Sequence, residues 1–170
     1  MIATILKIRL YGDPCLRKKS APVKDVGPAE RVLIEALLST MYEHKGVGLA
    51  APQVGINQQI FVADVGEGPR PLIVINPHIV KNGKLAVFEE GCLSIPGITV
   101  KVRRPEKIKV KFINEHNEPM ECEFEGLLAR VVQHEADHLK GRLITDYAGL
   151  RAKLLLKGKL KDIQSNAKQT

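Results

Sequence analysis

Residues 127–141 read Leu-Leu-Ala-Arg-Val-Val-Gln-His-Glu-Ala-Asp-His-Leu-Lys-Gly, and the rest of the chain is best understood as support for this stretch. Leu127, Val131, His134 and His138 fall at i, i+4, i+7 and i+11, so on a helix they share one stripe. Leu128, Val132, Glu135 and Leu139 form a second stripe beside it. Arg130, Gln133, Asp137 and Lys140 are left for a polar face, which predicts an amphipathic helix with a wide apolar side. Two imidazoles and a carboxylate then point inward among leucines and valines. Taking them out of water is costly unless they gain partners. A divalent cation is such a partner: histidines one helical turn apart can both ligate it, and the glutamate between them can act as general base at its open position. Two histidines do not complete a site, so a third ligand is expected elsewhere in the chain.

Working outward, the preceding segments alternate with period two. Ile108 to Phe112 and Glu121 to Glu125 each place apolar residues on one side and charges on the other, across a turn at Asn114 to Pro119. Paired as an antiparallel hairpin, they set lysines opposite glutamates on the wet face and turn Val110, Phe112, Cys122 and Phe124 to the core. His116 is then a turn residue. The hairpin runs through Gly126 into the histidine helix.

Further upstream, Leu85 to Glu89 reads as a strand after the Lys81-Asn82-Gly83 turn. It leads into Glu90-Gly91-Cys92-Leu93-Ser94, whose cysteine is the expected third ligand. Gln59 to Val65 and Leu72 to Asn76 read as buried strands, and His78, after Asn76-Pro77, as solvent-facing. Gly46 to Gly55 is a run of small residues holding one amide side chain. It lacks the lysine and hydroxyl residue of a phosphate loop, and Gln53 is placed to donate to a developing oxyanion. The alternative for this run is a tight loop packed under the helix. Pro28 to Lys45 carries a helical pattern, with Val32, Leu33, Ala36, Leu37 and Met41 on one face and His44 in the last turn. Ile2 to Leu10 is strand-like. Cys15 is read as a small core hydrophobe.

The fold class expected is α+β: antiparallel β-sheets packed around a central metal-binding helix, with an N-terminal and a C-terminal helix. With 170 residues and 44% hydrophobic composition the chain supports one core, residues 1–149, with 150–170 as a basic helical extension of the same domain. In that extension Leu150, Leu154 and Leu155 are expected to dock while Arg151, Lys153, Lys157, Lys159 and Lys161 project outward, and Gly158 weakens its continuation. A solvated basic tail is the competing reading. No apolar run is long enough to span a bilayer, and the first residues lack the order of a signal peptide, which points to a cytoplasmic protein with no membrane partner. Three cysteines argue against a disulfide framework. A monomer is the default expectation, and the net charge of +7 suggests an anionic neighbour.

Three motifs in this order, Gly-Val-Gly-Leu-Ala-Ala-Pro-Gln at 46–53, Glu-Gly-Cys-Leu-Ser at 90–94 and Gln-His-Glu-Ala-Asp-His-Leu at 133–139, resemble those of the bacterial-type peptide deformylases. The resemblance implies that Cys92, His134 and His138 ligate one divalent metal, Fe2+ in the cell, with Zn2+, Ni2+ or Co2+ able to replace it. It implies Glu135 as acid and base, and Gln53 with the Leu93 amide as holders of the oxyanion. Gly48 and Gly91 would contact the substrate, with Val47, Leu127 and Val131 forming a pocket for the first side chain, methionine in this family, and Arg130 at its rim. The implied reaction removes the N-formyl group from formyl-methionine on nascent polypeptides and releases formate. The implied partners are those peptides and, through the basic tail, the ribosome, in a bacterial cytoplasm or an organelle of that descent. Two rivals stand beside it: an ordinary metallopeptidase, and a basic RNA-binding module with a structural metal.

Overall fold

The structure is a computed structural model that describes residues 4–169, with the side chains of 81, 82, 166, 168 and 169 outside the description. Helix α1 spans Pro28–Glu43. Strands β1 (Gly48–Ala50), β2 (Ile60–Ala63), β3 (Leu72–Glu90), β4 (Val100–Ile113) and β5 (Pro119–Glu125) follow, then α2 (Gly126–His138) and α3 (Leu150–Gln169). Short 3-10 turns lie at Pro14–Arg17, Ala51–Val54 and Ile144–Tyr147. The strands form one five-stranded antiparallel sheet in the order β1-β2-β3-β4-β5. The α+β class expected from the sequence is therefore the one observed.

The β4/β5 hairpin has the register its charges favour: Lys107 faces Glu125, Lys109 faces Glu123 and Lys111 faces Glu121. Such exposed pairs add little stability, but a slip of one residue would turn Val110 and Cys122 out of the core. At the end of β5, Gly126 takes φ 61, a left-handed conformation open to glycine at little cost, and the chain turns from strand into α2. The strand before Asn76 and the strand after Gly83, separate in the sequence reading, are one 19-residue strand. The supposed turns at Asn76-Pro77 and Asn82-Gly83 are register shifts against β4, with Asn76 at φ 52 and Gly83 at φ 85. The Asn76 side chain occupies the gap: it accepts from the Val23 amide at 2.9 Å and donates to the Val23 carbonyl at 2.7 Å.

Helix α1 opens with Pro28 and a Glu30 carboxylate that accepts from the Gly27 amide at 3.0 Å. It buries Leu33, Ile34, Ala36, Leu37, Thr40 and Met41 against β1 and β2. Val32, assigned to the inner face, is 65% exposed, and Ile34 takes that place. The expected N-terminal strand is absent from the described part: residues 4–10 carry no strand pairing, and Ile2 lies outside the described residues. Instead this segment is tied down singly, by Leu6 N–H to Thr40 Oγ1, Arg9 N–H to the Gln53 carbonyl and Tyr11 N–H to the Ser94 carbonyl.

Helix α2 is buried on more sides than an amphipathic reading allows. Arg130, Gln133 and Asp137, assigned to a polar face, are at most 9% exposed because that face packs on β4. Helix α3 runs on through Gly158 and docks by Leu156, Leu160 and Ile163 against a cluster that includes Leu16, Ile95 and Leu143. The leucines expected to dock are on the outside: Leu150, Leu154 and Leu155 are 78%, 65% and 83% exposed. Both stripes have helical spacing, and the docked one faces the apolar cluster.

Candidate metal centre and active site

Helix α2 carries His134 and His138 on one stripe, and the turn after β3 brings Cys92 to them. One donor atom from each lies within 4.8 Å of the others. Cys92 Sγ is 3.3 Å from His138 Nε2. A tetrahedral ion with metal–sulfur and metal–nitrogen distances of about 2.3 and 2.0–2.1 Å holds its donors roughly 3.3–3.6 Å apart, so small adjustments would close this set around a cation. The donors are one thiol and two imidazoles, a set that suits iron, nickel or zinc.

The His134 ring is fixed from behind. Its Nδ1 lies 3.0 Å from Glu90 Oε2, which assigns the donor hydrogen to Nδ1 and leaves Nε2 facing the cysteine. Glu90 is itself held by three cationic contacts. Arg104 donates in bidentate fashion, Nε to Oε1 at 2.7 Å and Nη2 to Oε2 at 2.9 Å, and Arg130 Nη1 reaches Oε1 at 2.7 Å. Arg104 Nη1 continues to Asp137 Oδ2 at 2.7 Å, which also accepts from the Tyr147 hydroxyl at 2.6 Å. Burial opposes the Glu90 charge, but the hydrogen bonds from His134 and Arg104 outweigh it and hold the carboxyl down to about 2. Burial also opposes protonation of His134, and hydrogen bonding to Cys92 and Glu90 overrides it, up to about 10. His138 is pushed well below the ordinary range, first by burial and then by the positive charges of His134 and Arg104.

Charge counting leaves room for a cation. Glu90 and Asp137 offset Arg104 and Arg130, all four buried. A divalent ion bound here would displace the protons on His134 and the Cys92 thiol, and the thiolate so formed, with Glu135 beside it, would offset the charge of the ion. The residues therefore fit a divalent metal.

Glu135 is buried at the inner end of the pocket, where desolvation pushes its carboxyl up to about 7 against the pull of His134 and Arg104. Its Oε2 has no hydrogen-bond partner among the described residues. A proton acceptor poised near neutrality and short of a partner suits general acid and base work. Gln53, on the turn Ala51–Val54, is oriented by its own loop. Its Oε1 accepts from the Ala50 amide at 2.8 Å, so Nε2 faces the site, 3.5 Å from Cys92 Sγ and 3.2 Å from Ser94 Oγ.

These groups line one side of a pocket of about 570 Å³. The structure brings Val47, Gly48, Gly91, Leu93, Leu127 and Val131 to the same pocket, with Val47 and Leu127 about half exposed near its mouth. His138 lies behind the wall, 2% exposed. Gly48 has a steric reason to be glycine: a Cβ there would overlap Glu135 Oε1 and stand 2.8 Å from Val131 Cγ1. Gly48→Ala is expected to displace the carboxylate and lower kcat roughly 10²-fold, the scale of a misplacement of about 1 Å, with little change in the thermal midpoint. An unchanged kcat would contradict this packing.

Arg130, expected at the rim, lines the pocket with its guanidinium pinned inside. Besides Glu90 it reaches the Val102 carbonyl at 3.2 Å and the Ala86 carbonyl at 3.1 Å, and stacks 4.7 Å over the Phe88 ring. Sequence reasoning missed Glu90, Arg104, Asp137 and Tyr147 as supports of His134. One signal was available: Val100, Val102 and Arg104 continue the inward period of β4, which puts an arginine inside. The two cysteines outside the site match their plain reading. Cys15 is half-buried, with its thiol pushed up to about 12, chiefly by burial, and Cys122 lies against the hairpin core.

A thiol and two imidazoles placed to ligate one cation, a carboxyl of raised pKa beside them and an open pocket define a metal-dependent hydrolase. The polypeptide deformylase family model matches residues 5–153. A peptide deformylase of Thermotoga maritima is 49% identical over 164 residues, 96% of this chain and 99% of that protein. The structure of a Legionella pneumophila peptide deformylase superposes with TM-score 0.90 at 37% identity, over 98% of this chain and 99% of the other. One from Thermus thermophilus gives TM-score 0.89 at 42% identity, over 96% and 99%. The chain belongs to the polypeptide deformylase family. It is a metal-dependent hydrolase of that kind.

Proposed function

We propose that this site hydrolyses the formyl amide of formyl-methionine at the N-terminus of nascent polypeptides and releases formate. The observation that carries this reading is the meeting of Cys92, His134 and His138 beside the buried Glu135, with all but His138 lining one pocket. Those three residues would hold the metal, a ligand number typical of catalytic rather than structural sites. When bound, it supplies a water of lowered pKa, near 7 in zinc hydrolases, and a Lewis acid for the formyl oxygen. Glu135 takes the proton from the attacking water and returns it to the leaving nitrogen. Gln53 Nε2 and the Leu93 amide donate to the oxygen as charge develops on it. Gly48 and Gly91 lie along the substrate backbone, while Val47, Leu127, Val131 and the stem of Arg130 surround the methionine side chain.

Comparison of a formylated with an otherwise identical unformylated peptide separates this reading from an ordinary peptidase. Formate release without backbone cleavage is expected, and backbone cleavage without formate would overturn it. Gln53→Ala should lower kcat by roughly 10- to 10³-fold with a smaller change in KM, as for a donor used mainly in the transition state. A change confined to KM would count against that role.

The metal in the cell is ferrous iron, with zinc, nickel or cobalt as replacements. The enzyme acts as a monomer in a bacterial-type cytoplasm; among the described residues no helix is long and apolar enough to cross a membrane. Residues 1–149 form the catalytic unit and α3 its extension, whose outward Arg151, Lys153, Lys157, Lys159 and Lys161 suit ribosomal RNA phosphates. Because α3 also packs on the core, charge reversal is a cleaner test than truncation. Glutamate at 151, 157 and 161 should weaken ribosome co-sedimentation in a salt-dependent way without loss of tripeptide turnover. Unchanged co-sedimentation would sink the ribosome role.

A further inference from the structure

His44, Leu93 and Pro96 form a wall with two sides. One side faces the active-site pocket; the other bounds a second groove of about 740 Å³. Its remaining walls are the extended segment 5–10 with Asp13, and Ala167 near the end of α3. The segment is tied to the site from behind, since Arg9 N–H donates to the Gln53 carbonyl at 2.7 Å and Tyr11 N–H to the Ser94 carbonyl at 2.8 Å. Every residue from Ile5 to Leu10 lines the groove, with Ile5, Lys7 and Arg9 exposed and Leu6, Ile8 and Leu10 half-buried. Lys7 and Arg9 add positive charge, and Arg9 lies 3.7 Å from Asp13.

We propose that this second groove holds the downstream part of the substrate polypeptide, the residues beyond those seated in the active-site pocket, and that it favours apolar and acidic side chains. The inference rests on the deformylase reading of the site. A polypeptide substrate is one continuous strand whose formyl end is fixed at the metal donors, so the rest must leave the pocket across one of its walls. The wall of His44, Leu93 and Pro96 is shared by both spaces, and a chain crossing it enters the groove while still on the protein surface. The volume lies within the range of about 300–1,000 Å³ typical of ligand sites. Apolar side chains with two cations against the one carboxylate of Asp13 suit a substrate whose downstream sequence varies, because they ask for character at these positions rather than for one side chain. Contacts so far from the formyl group add binding energy common to ground and transition states, so they lower KM and leave kcat in place.

The test uses the metal-loaded full chain with formyl-Met-Ala-Ser and with formyl nonapeptides that share those three residues and carry either Leu and Glu or Gly and Lys at positions four to seven. The Leu/Glu nonapeptide should show KM roughly tenfold below that of the tripeptide, equivalent to about 1.4 kcal/mol, and the Gly/Lys peptide should show little gain. Ile5→Asp and Ala167→Trp, on opposite walls, should each erase the gain while tripeptide kinetics stay unchanged; tripeptide turnover also reports that each variant is folded. Equal KM for tripeptide and Leu/Glu nonapeptide, or a gain retained in both variants, would overturn the inference. A gain seen only after removal of residues 1–3 would give the groove to the chain's own start and overturn it as well. Failure of wild type to release formate from the tripeptide would instead strike the deformylase reading.

Discussion

Glu135→Gln is expected to keep the fold and one equivalent of metal while losing roughly 10²- to 10⁴-fold in kcat, the range for removal of a general acid and base. The amide is nearly isosteric with the carboxyl, so Gly48 and Val131 still close around it. Oε2, which has no partner among the described residues, is the atom placed to exchange the proton, and an amide there cannot accept it and return it. Burial should make the neutral amide easier to house than the charge it replaces. A variant with raised or unchanged stability, intact metal content and almost no turnover is thus the expected combination. Activity within a few-fold of wild type would refute the role of Glu135.

Cys92→Ala has the other large effect. The change removes the one soft anionic donor of the three, leaving two imidazoles and no thiolate to offset the charge of the ion. Tight metal binding and turnover should both be lost. Cys15→Ala and Cys122→Ala, at half-buried positions away from the donors, should affect packing alone. A thiolate beside ferrous iron is also open to oxidation through the pocket, so iron-loaded enzyme should lose activity in air faster than the nickel or zinc form. Retention of one equivalent of metal at wild-type affinity in Cys92→Ala would show the coordination to be different.

Much of this site was legible in the chain because its chemistry is local. His134, Glu135 and His138 sit on one helical repeat, and the Gly-rich and cysteine motifs are short runs whose residue types point to close backbone approach and metal binding. The β4/β5 hairpin was legible for a similar reason: period-two burial and opposed charges specify a register without reference to anything distant. What escaped depends on partners remote in sequence. Arg130 and Asp137 look like solvent-facing helix residues until Glu90 and Arg104 arrive from β3 and β4. Asn76-Pro77 and Asn82-Gly83 carry turn chemistry, yet a long neighbouring strand absorbs both as bulges. In α3 two leucine stripes compete, and the position of the cluster around Leu16 and Leu143 selects the one containing Leu156 and Leu160. The segment 4–10 alternates like a strand but pairs with loops, and periodicity cannot distinguish these.

On the proposed mechanism, the ion used in deformylation is the one that Cys92, His134 and His138 would hold. Anomalous diffraction at the nickel edge, on nickel-loaded protein from a preparation that releases formate from formyl-Met-Ala-Ser, tests it most directly. The expected result is a single full-occupancy peak about 2.0–2.3 Å from Cys92 Sγ and one nitrogen each of His134 and His138, the range for thiolate and imidazole ligands. A fully active preparation whose ion lies elsewhere, or lacks the Cys92 contact, would rule this coordination out.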